Sequence, residues 1–252
     1  HYNSAYIDWV VTVFMILAGV SFSLHYRFIR GGFRPLLRDT EFKAYIAIFL
    51  VATAIIAFNL RVNVYGSLSD SFRYAAFQAA SILTTTGFAT ADFERWPFLS
   101  QFILFALMFV GGCSGSTGGG IKVIRIVTLF KQGLNEMKYL IHSKGVFILK
   151  ISGMAVKKDT VYAILGFFFL YIFTILLVAG VVATSGQDIS TSLTASLATV
   201  GNIGPGFGNV GPVDNYAFFP AYVKWTLSFA MLVGRLELYT VLVIFTPVFW
   251  RK

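Results

Sequence analysis

Charge is what this sequence has least of. Asp, Glu, Lys and Arg make up 12% of its 252 residues, against roughly 25% in an average soluble domain. So little polar side chain cannot cover a water-soluble surface, which excludes an ordinary soluble globular protein. A lone cysteine, Cys113, excludes an intrachain disulfide and a cysteine-based metal cluster. His1, His25 and His142 lie far apart, without metal-ligand spacing. No nucleophile–base pair stands out, so nothing in the sequence points to an enzyme or calls for a cofactor. The first residues do not read as a signal peptide: no basic segment opens them, and Asp8 stands ahead of the first apolar run. The sequence starts at His1 rather than Met, and the expectation is a fragment of a longer protein.

What fills the sequence instead is apolar residues, 57% of the total, with 27 Phe among them. A membrane-spanning helix needs about 20 mainly apolar residues. Five stretches qualify: Tyr6 to Phe28, Lys43 to Leu60, Pro97 to about Phe130 with an interruption, Thr160 to Ala183, and Phe219 to Trp250. Two apolar runs, 71–84 and 188–198, are too short to span and open on candidate N-caps, Asp70 or Ser71 in the first and Asp188 in the second. Each passes into a Thr/Gly segment, "TTTGFAT" at 84–90 and "TVGNIGPG" at 199–206. The chain therefore reads as an internal repeat of span, re-entrant half-helix, Thr/Gly segment and span, covering 43–130 and 160–252. The helix within 1–30 belongs to neither copy and reads as the closing helix of a preceding one, joined by a loop at 31–42.

The net charge of +9 is a topology signal rather than a nucleic-acid patch. Arg27, Arg30, Arg34 and Arg38 fall in one connection and Lys131, Lys138, Lys144, Lys150, Lys157 and Lys158 in another, at 131–159. By the positive-inside rule both are cytoplasmic. The half-helices then enter from the outside. Backbone that is neither helix nor sheet is tolerated at membrane depth only inside protein or along an aqueous path. Rows of carbonyls can replace the water shell of a cation there, and the negative end of each half-helix dipole favours cations. Aligned as Thr-x-Gly-x, the candidate ion-binding residues are Thr85, Thr86, Gly87 and Phe88, with Thr199, Val200, Gly201 and Asn202.

The segments "SILTTTGFATADFERWP", "GGCSGSTGGGIK", "TVGNIGPGFGNVGP" and "GRLELYTVLVIFTPVFW", with their spacing, resemble the Trk/Ktr/HKT superfamily of potassium and sodium transport proteins, in its bacterial TrkH branch. The resemblance implies an all-α membrane protein with pseudo-fourfold span–pore-helix–span repeats around an ion pore. This chain would hold two of them plus one extra helix, and the remaining N-terminal repeats would come from the same protein. It also implies K+ as the transported ion, a homodimer in the bacterial inner membrane, and a cytoplasmic TrkA-type regulatory subunit that binds nucleotide. In that family the discrimination of potassium from sodium is tied largely to the first filter, outside these repeats. Proton- or sodium-coupled secondary transport is the alternative to channel-like conduction, with Glu237 the one candidate carboxylate in mid-span.

Two further features carry chemistry. The run Gly111, Gly112, Cys113, Ser114, Gly115, Ser116, Thr117, Gly118, Gly119, Gly120 is followed closely by Lys122, which approximates a phosphate-binding loop. Ile121 breaks the Gly-Lys pair, no Ser or Thr follows the lysine, and an apolar helical run precedes the glycines. Nucleotide binding is set aside. Halfway through a span, this segment reads as a movable loop beneath the filter, and the resemblance implies a gate. Arg235 stands near the middle of the last span, where a charge costs from about 2.5 kcal/mol upwards unless it pairs or meets water. Either a structural ion pair or a fixed positive charge beside the ion path satisfies this, and the resemblance implies the second.

Overall fold

In the computed structural model, which describes residues 4–142, 144–236 and 238–251, the chain is almost wholly helical. Helix α1 (Ala5–Ala18) turns through 96° into α2 (Phe22–Gly31), and a short α3 (Arg34–Arg38) follows. The single helix expected from Tyr6 to Phe28 is thus two. The physical reason is packing. Fully buried Tyr45, in the helix that begins at Thr40, donates its hydroxyl to the carbonyl of Ile16 at 3.0 Å, and the backbone of 18–19 is used by the glycine segment described below.

Helix α4 (Thr40–Leu60) opens on Asp39, whose carboxylate accepts from Phe42 N at 2.9 Å, and runs into a π turn at Arg61–Tyr65. The first half-helix, α5 (Leu68–Leu83), is buried along its last two turns. Its N-cap is Ser67, not Asp70 or Ser71: the Ser67 hydroxyl accepts from Asp70 N at 3.5 Å, so the helix starts earlier than its apolar run. Polar loops lead through a 3-10 turn (Phe93–Arg95) to α6 (Phe98–Met108). At 11 residues, α6 covers about 16 Å, roughly half of a bilayer's hydrocarbon core. After the glycine segment, α7 (Val123–Ile141) carries on well past Phe130, so part of the connection expected at 131–159 is helix. A hairpin of β1 (Lys150–Ile151) and β2 (Met154–Ala155) closes that connection, a feature without hydrophobic pattern in the sequence.

A second group of helices follows in a similar order. Helix α8 (Lys158–Ala183) is a continuous apolar span. Half-helix α9 (Ile189–Val200) opens on Asp188, as the sequence indicates, and is buried from Thr194 to Val200. Helix α10 (Ala221–Arg235) follows, then α11 (Leu238–Ile244) at 114° to it and α12 (Pro247–Trp250). The last span is therefore broken at Arg235. Helix α5 packs between α1, α4 and α6, and α9 between α8 and α10. Small and hydroxylic residues allow this closeness, as where Ser196 Oγ donates to the Ile175 carbonyl at 2.7 Å. Among the described residues, α4 with its π turn and α8 are each long and apolar enough to cross a membrane, and the bent pairs α1–α2 and α10–α11 bring the number of candidate spans to four.

Asp188 caps α9 from an almost fully exposed position, and hydrogen bonding by the Thr191 side chain and by backbone amides holds its carboxyl below the ordinary range. The cap is therefore complete at neutral pH and is lost as pH falls through that lowered value. Asp188→Ala should cost about 1 kcal/mol. Thermal unfolding of the detergent-solubilised protein should show the deficit at pH 7 and its disappearance in strong acid.

Candidate functional site

The two half-helices end in the same way. At the first, Thr84 N bonds to Ala80 O, Thr85 N to Ile82 O and Thr86 N to Ser81 O, at 2.9, 3.0 and 2.9 Å. At the second, Gly201 N bonds to Leu197 O, Asn202 N to Thr199 O and Ile203 N to Ala198 O, at 2.8, 3.1 and 2.8 Å. Thr85 and Asn202 both have a φ of 55°, and Gly87 and Gly204 follow at 77° and 109°. The backbone thus pairs Thr85 with Asn202, Thr86 with Ile203 and Gly87 with Gly204. This corrects the sequence register, which set Thr199 against Thr85. Thr199 and Val200 are still in the last turn of α9, and Gly201 is its right-handed C-cap. The non-helical segment begins three residues later than the Thr-x-Gly match places it. Ile203 and Gly204, within the Thr/Gly segment 199–206 but outside the four aligned candidates, stand opposite Thr86 and Gly87. Asn tolerates the left-handed region better than other non-glycine residues, so "Asn-Ile-Gly" carried the signal.

The segments meet. A methyl group on Gly87 would collide with the carbonyl oxygen of Ile203. Ser81 Oγ donates to the Phe88 carbonyl at 2.6 Å, and Thr84 and Thr86 share a hydroxyl–hydroxyl bond of 2.8 Å. The half-buried Glu94 accepts from Gly208 N, and Phe93 meets Phe207 edge to face at 5.1 Å, so the loops after the two half-helices brace one another. Burial raises the Glu94 carboxyl above its ordinary range, against the opposing bond from Gly208.

Below these segments lies the run 111–120. Its ends are held by a parallel bridge between Val110 and Ile121 and by Gly111 N on Ile121 O at 2.8 Å. Cys113 N donates to Gly19 O at 2.8 Å, and Thr117 donates to Ala18 O through both N (3.3 Å) and Oγ1 (3.1 Å). Phe22 N returns a bond to Gly115 O at 3.0 Å. The break between α1 and α2 and the break between α6 and α7 therefore satisfy one another. Ser116 Oγ turns back to the Cys113 carbonyl at 2.6 Å. Gly118 sits close to Gly112 and the Thr84 carbonyl. Gly119 N donates to Thr85 Oγ1 at 2.7 Å, and a methyl group on Gly119 would strike the Gly201 carbonyl.

Charged groups complete the site. Arg235 Nη1 donates to the Thr117 carbonyl at 2.9 Å, and Lys122 Nζ donates to the Gly118 carbonyl. Among the described residues no ion pair involves Arg235. Glu237, its neighbour in the sequence reading, lies outside the described residues. Arg125 stacks on Phe167, 3.9 Å from the ring centre. Two cavities flank the cluster. One of about 810 Å³ is lined by Asp8, Tyr74, Gly87 and Phe88. The other, of about 290 Å³, is lined by Gly115 to Gly120, Lys122, Arg125 and Arg235.

Apolar spans packed around two buried half-helices define an all-α membrane protein. The family model described as "TrkH: Cation transport protein" matches residues 1–252. The chain is 37% identical over 257 residues to the Trk system potassium uptake protein TrkH of Salmonella typhimurium, and 41% identical over 257 residues to that of Halomonas elongata. Both alignments cover 100% of this chain and 52% of the relative. The crystal structure of the potassium transporter TrkH from Vibrio parahaemolyticus superposes with a TM-score of 0.93 at 36% identity, over 100% of this chain and 54% of that one. The chain belongs to the TrkH family of cation transport proteins, and spans about half the length of these relatives.

Gly119→Ala should misplace the glycine run, because the added methyl group would strike the Gly201 carbonyl, a backbone group that cannot swing aside. A cost of about 1–3 kcal/mol is expected, as for other overpacked sites. A lower midpoint of thermal unfolding, together with faster amide exchange across 113–120, is the expected outcome.

Proposed function

We propose that this chain forms part of the wall of a potassium uptake pore in the bacterial inner membrane. Its two span–half-helix–span units would join further units of the same protein in a pseudo-fourfold ring, and the whole would pair as a homodimer. Conduction is channel-like. Carbonyls of Thr85, Thr86 and Gly87, and of Gly201, Asn202 and Ile203, take the place of the ion's water shell, while Phe88 and Gly204, whose carbonyls accept from Ser81 and Tyr216, close the two segments. The matching backbone pattern of the two segments supports this reading, as do the negative ends of α5 and α9 directed at them. The names of the relatives, potassium uptake proteins, support K+ as the cargo.

The observation that carries the gating reading is the placement of Gly119. Its N–H is bonded to Thr85 of one filter segment while its Cα lies against the Gly201 carbonyl of the other. A loop touching both segments obstructs an ion leaving them, and Arg235 holds that loop by its Thr117 carbonyl. Gating residues are thus Gly111 to Gly120 with Arg235. Control falls to a cytoplasmic TrkA-type subunit that binds the nucleotide, a reading supported by the family resemblance alone.

Ion flux through the full-length protein in liposomes tests this. K+ and Rb+ should pass and Na+ should not, and the reversal potential should be indifferent to a pH gradient. Equal Na+ passage would overturn the potassium filter. Deleting 113–119 should make flux independent of the cytoplasmic subunit, and flux still fully under its control would put the gate elsewhere. Arg235→Ala should raise basal flux several-fold, since it removes the charge-assisted hydrogen bond that holds the loop by its Thr117 carbonyl.

A further inference from the structure

The glycine run is tied to the rest of the protein by one carboxylate that no motif announced. Glu41 lies in the first turn of α4, where an acidic residue ordinarily does no more than complement the helix dipole. Here its Oε1 accepts from Ser114 N at 2.7 Å and also from Ile124 N at 3.0 Å. These amides belong to opposite arms of the loop. Ser114 lies on the descending arm, and Ile124 in the first turn of α7. Helix α7 has no side-chain cap of its own, because its N-cap position is Lys122. Glu41 thus supplies from another helix the acceptor that a first-turn amide needs.

We propose that Glu41 is a positioning residue that fastens the intramembrane loop to α7, so that a displacement of α7 is delivered to the loop. The proposal rests on the gating reading above. Three contacts make the junction. Through Oε1, α7 cannot turn without straining the bond to Ser114. Lys122, at the head of α7, holds Gly118 from the other side. One residue before Glu41, Thr40 exchanges bonds with Ser152 of the cytoplasmic hairpin, N to Oγ at 3.1 Å and Oγ1 from Ser152 N at 3.0 Å. The hairpin in turn receives Lys131 of α7 at the Lys150 carbonyl, at 3.1 Å. A force applied to the cytoplasmic connection thus has a hydrogen-bonded route to the loop that passes through Glu41.

The test uses the full-length protein in liposomes, with flux measured without the cytoplasmic subunit and amide exchange measured on the same preparations. Glu41→Ala should speed exchange at 113–118 and at 124–126 together and raise unregulated K+ flux by about tenfold, a coupling of ordinary size. Glu41→Gln keeps the shape and one acceptor oxygen and should shift both readouts less, in the same direction. It carries the test if the alanine variant does not insert. A purely structural carboxylate would lower the unfolding midpoint and leave flux and its regulation unchanged, and that result overturns the proposal. The 113–119 deletion separates the two readings. If the deletion frees flux while both Glu41 variants behave as the parent, this proposal alone fails. If the deletion leaves flux regulated, the gating reading falls and takes this one with it.

Discussion

Helices that stop in mid-membrane leave amides and carbonyls that lipid cannot satisfy, and each one left bare costs several kcal/mol. That constraint organises this structure. Helix α6 ends after 11 residues and α1 ends at Ala18, and each end leaves carbonyls that its own helix does not satisfy. The two interruptions answer one another: Cys113 and Thr117 donate to Gly19 and Ala18, and Phe22 donates to Gly115. Neither break is tolerable alone. The 96° turn between α1 and α2 is thus part of the same feature as the glycine run, although the two are about a hundred residues apart in the chain.

The half-helices face the same constraint and meet it differently. Each ends in a tight turn that spends its own amides on its last carbonyls, so that the carbonyls beyond the turn are left without backbone partners from that turn. The price is a residue forced into the left-handed region, Thr85 in one copy and Asn202 in the other. Such strain, about 1–3 kcal/mol, persists only where the surroundings fix it and concentrates at functional positions. In the first copy the surroundings include the loop, since Gly119 bonds to the strained Thr85. The state of the loop and the shape of the 84–90 segment are therefore not independent.

Much of this was legible in the sequence, for identifiable reasons. Hydropathy has a long range, so α4, α8 and the two half-helices stand out as runs. The loop was legible because glycine is rare inside an apolar helix and ten residues of "GGCSGSTGGG" cannot be one. The break at Gly19 was hidden, because a single glycine within an apolar run costs a helix only about 1 kcal/mol and need not interrupt it. The second Thr/Gly segment was legible as a break, but its register against the first was not. Residue identity favours Thr199-Val200-Gly201, whereas backbone geometry is set by where α9 ends, one turn later. Glu41 was illegible altogether. Its partners are 73 and 83 residues away, and no local pattern separates it from any acidic residue in a first turn.

The loop's contacts also sort by sign. Its amides go to acceptors: the Glu41 carboxylate, Thr85 Oγ1 and the carbonyls of 18–19. Two of its carbonyls, those of Thr117 and Gly118, go to cationic donors, Arg235 and Lys122. A carbonyl oxygen that accepts from a guanidinium or an ammonium is not available to a potassium ion, which would coordinate it by the same electrostatics. In the gating reading the two basic groups therefore do more than repel an approaching cation. They occupy the ligands that would otherwise let the loop bind it, so the loop obstructs without becoming a trap. A loop released from Arg235 and Lys122 presents carbonyls to the path. Opening then replaces a fixed charge by a mobile one at the same oxygens, with little change in how many of the loop's polar groups are satisfied.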